Sequence, residues 1–235
     1  MSCAKNRKSA KKAYREGTDY QFKTQEFNLG PWTSYSLIND PKHMCFVLAR
    51  YKFCAKMLEG KKIIMEIGSG DGFGLPIIAQ VAEKVYAVDW DKRLLEGNAQ
   101  RLKHLNNVEY LHVDLNKSSP KVVIDGAFLI DVIEHLDPEK EKIFLNNIVK
   151  CLKDDGVLII GTPNITAFEY ATPRSKVQHI NLKSMQTLRE IMEPYFENVF
   201  MFGMNDEVLH TGYASMCHYI WAVGAGLRLE FRNKI

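Results

Sequence analysis

Several short apolar runs in the chain are followed by acidic side chains, and the first is also followed by glycines. Glu66 opens the stretch EIGSGDG, in which every second residue from Gly68 to Gly72 is a glycine. Glycines at such a turn let the backbone approach a ligand closely and accept positive φ angles. The dinucleotide fingerprint G-x-G-x-x-G does not fit, because the sixth position from Gly68 is Phe73. The Glu66 carboxylate would repel phosphates, so the turn favours a ligand with a positive end.

Two further acids follow the next two apolar runs. Asp89 ends the run VYAVD, and a carboxylate at that place can accept hydrogen bonds from both hydroxyls of a ribose. It can equally be the N-cap of the following helix. Asp114 follows VEYLHV, where it can accept from an adenine amino group or simply form a turn. Acids at three successive run ends, with glycines at the first, favour a shared ligand site.

A denser polar group follows the fourth run. Asp131, Glu134 and His135 lie within five residues, and His179 comes fifteen residues after the T-P-N stretch that ends at residue 164. Carboxylates together with imidazoles can hold a divalent cation; oxygen ligands suit Mg²⁺ or Mn²⁺, and imidazole admits softer metals. Three interpretations stay open for this group: metal ligation, a histidine acting as general base, and a purely structural role.

The elements that must position these residues alternate between strand and helix. Strands are predicted over residues 62–67, 85–89, 108–113, 124–131, 157–161, 199–203 and 219–223, and helices over 40–58, 74–83, 91–104, 138–152 and 182–195. In the helix over 40–58, Asp40 is expected as N-cap, and Val47, Tyr51, Cys54 and Leu58 form the apolar stripe. Alternation of this kind predicts an α/β fold with a mostly parallel sheet, whose ligands bind beyond the carboxyl ends of the strands.

Composition and charge narrow the class of protein. The 235 residues are 46% hydrophobic and 25% charged, typical of a globular domain, and no apolar run is long enough to span a membrane. Five scattered cysteines without a C-x-x-C pair predict reduced thiols and a cytoplasmic protein. Residues 1–23 carry seven Lys and Arg against two acids, so the remainder has a net charge of −2 although the chain has +3. We therefore expect a basic, flexible arm over 1–23, a helical cap over 24–60 and a ligand-binding domain over 61–235.

The motifs together resemble those of the class I S-adenosylmethionine-dependent methyltransferases. The resemblance is carried by EIGSGDG (66–72), AVDWD (87–91), VDL (113–115), DVIEHL (131–136) and GVLIIGTPN (156–164). It implies a Rossmann-like three-layer sandwich with seven strands in the order 3-2-1-4-5-7-6, strand seven being antiparallel. It also implies S-adenosylmethionine as cofactor and S-adenosylhomocysteine as product. The residues expected at the cofactor are Glu66, Gly68, Ser69, Gly70, Gly72, Asp89, Trp90, Asp114, Leu115 and Asp131.

Within that class, the acid-x-x-Glu-His pattern after strand four is similar to that of the ubiquinone-pathway O-methyltransferases and of the small-RNA 2′-O-methyltransferases. In those relatives the set binds a metal that acidifies a hydroxyl, which implies Glu134, His135 and His179 as ligands of Mg²⁺ or Mn²⁺. Asp131 stands where a longer Glu is usual. As catalytic residues we expect His135, His179 and Asp131.

Three functions are compatible with these features. The near-neutral body favours O-methylation of a small or medium acceptor such as a sugar, glycolipid or glycan precursor. A polar loop holding Asn205, Asp206, His210 and Tyr213 favours it too, because the resemblance implies that this loop overhangs the acceptor pocket; the loop can equally be an ordinary polar connection. The histidine pair and the basic arm suggest an RNA-terminal 2′-O-methyltransferase, which the lack of a basic body disfavours. A cofactor-binding protein without activity is the third. Lid candidates are Trp32, Tyr35 and His43. The oligomeric state is left open.

Overall fold

The computed structural model describes residues 2–18 and 26–232, with backbone alone for 2–8. Three helices precede the sheet: α1 (Ser2–Thr18), α2 (Pro31–Asn39) and α3 (His43–Met57). Residues 2–18 of the predicted arm form α1, and residues 19–23 lie outside the described part of the chain. The division into arm, cap and domain, and the flexibility expected of the arm, stay predictions. No helix in the described ranges has the length and apolarity needed to cross a membrane.

The sheet has eight strands in the spatial order β3-β2-β1-β4-β5-β8-β6-β7. Their bounds are β1 (Ile63–Ile67), β2 (Lys84–Asp89), β3 (Val108–His112), β4 (Ile124–Ile130), β5 (Leu152–Pro163), β6 (Phe196–Asn205), β7 (Val208–His210) and β8 (Tyr219–Leu227). β1 to β5 pair in parallel, and β8 runs antiparallel to both β5 and β6. The predicted mostly parallel α/β sheet with an antiparallel last strand is confirmed.

The predicted count of seven strands is wrong by one edge strand. β7 holds only three residues and pairs antiparallel with the end of β6, where Asn205 faces Val208. The hairpin turns at Asp206, a non-glycine residue with φ 52°. Three residues are too few to show a period of two, so the sequence pattern could not separate this strand from a polar loop.

Four predicted helices flank the sheet and are shorter than expected: α4 (Leu75–Ile78), α5 (Lys92–Arg101), α6 (Glu141–Val149) and α8 (Met185–Met192). A further short helix, α7 (Pro173–Gln178), was not predicted. α4 ends early because the Asn107 amide donates to the carbonyls of Ala79 and Ala82, at 2.8 and 3.0 Å. These carbonyls are thereby satisfied outside a helix, which the sequence of α4 alone does not reveal.

The start of α3 also corrects a prediction. Asp40 is not its N-cap: the Asp40 N–H donates to Ser36 O at 2.8 Å and so closes α2, a helix that the sequence analysis did not predict. The expected apolar stripe is confirmed, since Cys54 and Leu58 are fully buried and Tyr51 nearly so.

Two cores, one on each face of the sheet, give the three-layer architecture. Ile64 of β1 packs in the core with residues of α3 and α4, and the next residue, Met65, packs on the other face with residues of α6 and α8. Successive side chains of a strand point to opposite faces, so one short strand anchors both layers. The carboxyl ends of the five parallel strands then meet at one edge, where the predicted site residues lie.

Candidate active site

The glycine turn after β1 has the backbone conformation that its sequence predicts. Gly68 and Gly70 have φ angles of 70° and 53°, in the left-handed region. A Cβ at Gly68 would collide with Val132, and one at Gly70 would lie 2.9 Å from the Trp32 ring. Residues with side chains would therefore be strained at both positions and would also displace their neighbours.

Asp89 at the end of β2 holds the glycine turn in place. Its Oδ2 accepts from Gly70 N at 2.9 Å and its Oδ1 accepts from Asp91 N at 2.8 Å. Burial raises the pKa of Asp89. Asp91, not Asp89, caps α5, where its side chain accepts from Arg93 N. Of the two readings left open for Asp89, the N-cap reading is therefore wrong.

Asp114 lies beyond the end of β3. Its Oδ1 accepts from Asn116 N at 3.0 Å, and its Oδ2 is 2.9 Å from Lys117 Nζ. The hydrogen-bonded ammonium of Lys117 lowers the pKa of Asp114. The side chain is thus an ionised acceptor that borders the same cavity as the glycine turn.

Glu66 lies beneath this turn and is 2% exposed. The Tyr51 hydroxyl of α3 donates to its Oε1 at 3.0 Å, while its Oε2 has no hydrogen-bond partner in the described part of the chain. Burial raises the pKa of Glu66 to about 8. The sequence analysis did not foresee that a helix of the cap would supply the partner of this acid.

A second contact with the cap is made by Asp71, the acid between the last two glycines of the turn. It accepts from Thr33 N at 2.8 Å through Oδ2 and from Thr33 Oγ1 at 3.0 Å through Oδ1. Thr33 is in the first turn of α2, so Asp71 satisfies an N–H that the helix itself cannot bond. α2 is thereby fastened directly over the glycine turn.

The strand ends and the cap enclose a cavity of about 810 Å³. This volume is within the range of small-molecule and cofactor sites. Of the residues expected at the cofactor, the cavity is lined by Gly68, Ser69, Gly70, Asp89, Trp90, Asp114, Leu115 and Asp131. Glu66 and Gly72 do not line it: Glu66 is buried under the turn, and a Cβ at Gly72 would approach Leu102 and Asn98.

Asp131 follows β4 and has a φ angle of 57°. Its Oδ2 lies 2.6 Å from Nη1 of Arg50, whose side chain is 7% exposed. The Arg50 guanidinium is stacked 3.8 Å above the ring of Tyr219. The sequence analysis did not propose Arg50 as a site residue. The residue precedes Tyr51, a member of the apolar stripe of α3. A charged residue at a buried helical position is a signal for a buried partner.

Glu134, His135 and His179 come together as the sequence predicts. Each offers a ligand atom, and these atoms lie within 4.8 Å of one another. Burial and then the charge of Asp131 raise the pKa of Glu134, whose Oε2 accepts from Thr162 Oγ1 at 2.9 Å. Its Oε1 has no partner among the described residues. Asp131 is not in this group.

Of this cluster, His135 lines the cavity, whereas Glu134 and His179 do not. The ring centroids of the two histidines are 5.0 Å apart, and Nδ1 of His135 is 3.1 Å from Gln178 O of α7. Burial and then the neighbouring His135 lower the pKa of His179. The lowered pKa favours the neutral form of the His179 ring, which is the form that accepts a proton or binds a metal.

The acceptor side of the cavity differs from the expectation. The loop residues Asn205, Asp206, His210 and Tyr213 do not line the cavity; the loop forms the β6–β7 hairpin, and Asn205 donates to Met216 O at 3.1 Å. The wall is instead made by Trp32, Ser36 and His43 of the cap and by Arg174 and Gln178 of α7. Among the lid candidates, Trp32 and His43 are thus at the cavity, whereas Tyr35 is not.

Known proteins are similar to this chain in sequence. Residues 65–160 match a methyltransferase domain family. A probable S-adenosylmethionine-dependent methyltransferase of Mycobacterium tuberculosis is 28% identical over 144 residues, 60% of this chain and 51% of that protein. A ubiquinone biosynthesis O-methyltransferase of Rickettsia akari is 31% identical over 110 residues, 46% and 43% of the two chains. The chain spans about half the length of the curated relatives it matches.

Two solved structures show the same fold. The methyltransferase domain of bacterial CtHen1-C has 19% identity and a TM-score of 0.65, over 77% of this chain and 98% of that one. The N-methyltransferase NodS of Bradyrhizobium japonicum, in complex with S-adenosylhomocysteine, has 16% identity and a TM-score of 0.59, over 85% and 93%. Residues 65–160 therefore belong to a methyltransferase domain family, and the chain is similar to S-adenosylmethionine-dependent methyltransferases in sequence over part of its length and to methyltransferases in fold.

Proposed function

We propose that the protein transfers the methyl group of S-adenosylmethionine to a hydroxyl of a small or medium acceptor, with a saccharide or glycan precursor as the favoured class. The observation that carries the proposal is the meeting of the Glu134 carboxyl with the imidazoles of His135 and His179 beside the cofactor cavity. A hydroxyl keeps its proton at neutral pH. Its methylation therefore requires a group that takes up this proton or that acidifies the hydroxyl.

The cofactor end of the cavity fits a ligand that is positively charged and rich in hydrogen-bond donors. Asp89 and Asp114 line it as carboxylates, and the Ser69 hydroxyl is buried without a partner in the described chain. The left-handed turn at Gly68 and Gly70 leaves room for close approach of a ligand to the backbone. In our proposal Asp89 receives the ribose hydroxyls and Asp114 the adenine amino group. The sulfonium of the cofactor supplies an activated methyl group.

The protein's contribution to the reaction is alignment and proton removal. The acceptor oxygen must stand in line with the methyl group, and the walls of the cavity restrict its orientation. His135 is held by Gln178 O, so one ring nitrogen is engaged and the other is left for the acceptor. His179 packs against that ring and provides a second imidazole to take up the proton.

The same three side chains also fit a divalent cation. The unpartnered Oε1 of buried Glu134 is the observation that supports the fit, because a buried carboxylate oxygen without a donor is costly. Oxygen and imidazole donors together suit Mg²⁺, Mn²⁺ and softer ions. A bound cation would lower the pKa of the acceptor hydroxyl. Glu134, His135 and His179 would hold it.

Release of S-adenosylhomocysteine from purified protein, supplied with a panel of saccharides and sugar nucleotides, tests the proposal. We expect His135→Ala and His179→Ala to reduce turnover by about 10²–10⁴-fold while the affinity for S-adenosylhomocysteine stays unchanged. His104→Ala, at a histidine outside the cavity, is the matched control. Loss of activity in EDTA with recovery in Mn²⁺ would assign the cation, and full activity in EDTA would assign the histidines as bases.

Three results would contradict the proposal or its mechanism. Turnover of short RNA ends with none of any saccharide would support the RNA-terminal alternative, for which binding should fall steeply with salt. Cofactor binding without transfer to any acceptor of either class would support a protein that binds the cofactor without catalysis. Equal turnover of wild type and both histidine variants would remove the cluster from the mechanism.

A further inference from the structure

Most of the charged side chains that line the cavity are acidic. Among them Arg174 is the one arginine, and none is a lysine, whereas five are aspartates: Asp71, Asp89, Asp91, Asp114 and Asp131. A cationic cofactor explains an acidic wall. The positive charge of that cofactor does not explain a guanidinium in the same cavity.

Each of the five aspartates already has a partner within the protein. Asp71 is bonded to Thr33, Asp89 to the backbone of the glycine turn, Asp91 to Arg93, Asp114 to Lys117 and Asp131 to Arg50. The Arg174 side chain takes no part in these pairs and makes no hydrogen bond or ion pair with residues 9–18 or 26–232. Its guanidinium is therefore available to a ligand.

The position of Arg174 relates it to the reacting end of the cavity. Arg174 and Gln178 are four residues apart in α7, so they lie on one face of the helix, about 6 Å apart along its axis. The Gln178 carbonyl contacts His135, a member of the histidine cluster. The backbone of Arg174 is thus about one helical turn away from the carbonyl that contacts His135, where the acceptor hydroxyl would be activated.

We propose that Arg174 binds an anionic group of the acceptor, a phosphate or a carboxylate, about one helical turn from the hydroxyl that is methylated. A guanidinium presents paired N–H donors that match both groups, and neither is offered by a neutral sugar. The inference rests on the proposed function and narrows it: the acceptor is an acidic or phosphorylated saccharide. The exposed ring of Trp32, on the α2 side of the same cavity, provides an apolar surface for a sugar ring.

One other role for Arg174 is binding the carboxylate of the cofactor's own methionine portion. The two roles of Arg174, binding the cofactor or binding the acceptor, differ in which ligand loses affinity when the side chain is removed. If Arg174 holds the cofactor, its removal weakens S-adenosylhomocysteine binding and leaves 5′-methylthioadenosine, which has no carboxylate, unaffected. If Arg174 holds the acceptor, the affinity for both nucleosides stays the same.

A binding experiment tests the inference without activity. Protein saturated with S-adenosylhomocysteine, in EDTA, is titrated calorimetrically with glucose 6-phosphate, glucuronate and glucose. We expect both anions to bind more tightly than glucose, and Arg174→Gln to weaken them about ten- to a hundredfold while glucose is unaffected. Lys176→Gln is the matched control, since Lys176 is a cation of the same short helix whose Nζ donates to Glu169 O and which does not line the cavity. The relative loss for the two anions identifies phosphate or carboxylate.

The outcomes separate this inference from the proposed function. Equal affinity for glucose and the anions, no effect of Arg174→Gln, or an equal effect of Lys176→Gln would overturn the anionic subsite. Methylation of neutral saccharides at the rate of their anionic counterparts would leave the proposed function standing and refute the subsite alone. Anion binding that depends on Arg174 in a protein that transfers no methyl group would refute the proposed function alone.

Discussion

At the scale of single residues, the site consists of acids whose partners come from elsewhere in the chain. Glu66, Asp131 and Glu134 could be picked out of the sequence because each lies within a few residues of the end of a strand. The environments of these acids could not be predicted, because their partners are distant in sequence. The contact of Glu66 with Tyr51 spans 15 positions and that of Asp131 with Arg50 spans 81. A pattern of residue types shows which side chains reach a strand end. It does not show which distant helix neutralises them.

The buried Glu66 carboxyl predicts a pH dependence of stability. Its folded-state pKa of about 8 lies above the ordinary value of 4.5, so the folded form binds the proton more tightly than the unfolded form. The contribution of the protonated Glu66 carboxyl to folding stability is complete below pH 4.5. It is lost as the pH rises through 8 and the carboxyl ionises in the folded state. The free energy of unfolding of wild type and of Glu66→Gln is to be measured with urea at about pH 5 and about pH 9. We expect wild type to lose roughly 2–4 kcal/mol more than the variant between these two pH values. A pH-independent difference would contradict the assignment.

The Arg50–Asp131 pair predicts strong coupling between the cap and the reacting end of the site. Arg50→Met leaves the Asp131 carboxylate without its cation, and we expect a loss of about 2–4 kcal/mol of stability, the lower part of the usual range because Asp131 is partly exposed. Asp131→Asn in the same protein should recover part of the loss. A double-mutant cycle by urea unfolding measures the coupling, and additive effects would show that the pair contributes nothing.

At the scale of secondary structure, the cap helices are parts of the site. The sequence located α3 and its apolar stripe because the helix is long and periodic. It did not reveal α2, since nine residues, PWTSYSLIN, with one buried position show no periodicity. A distant side chain, Asp71, bonds the first turn of α2 to the glycine turn. Similarly, the edge strand β7 arises from pairing with β6 and not from its own three residues.

The contact between Asp71 and Thr33 predicts that one substitution loosens α2. For Asp71→Ala we expect amide hydrogen exchange in residues 31–39 to accelerate about tenfold, as for loss of a helix cap, and the affinity for S-adenosylhomocysteine to fall. Asp137→Ala is the control, because Asp137 caps a turn through Glu139 N but does not line the cavity. Unchanged exchange in α2 would mean that its packing on the glycine turn suffices without the carboxylate.

At the scale of the whole molecule, charge is divided between the first 23 residues and the rest. Residues 1–23 carry seven Lys and Arg against two acids, a larger net positive charge than the +3 of the whole chain, whereas the cavity is lined by aspartates. This division was visible in the sequence, because composition by segment requires no fold. The place of Arg174 in the cavity was not visible, because it depends on how a six-residue helix after β5 folds back onto His135.

The two adjacent residues Arg50 and Tyr51 have a consequence for protein engineering. The recognisable family segment begins at residue 65, but the partners of its acids Glu66 and Asp131 precede it. A fragment cut at the family boundary would bury one carboxyl without its tyrosine and leave another without its arginine. Any transplant of this site into another scaffold, or any chimaera with a relative, must therefore carry α3 along with the sheet.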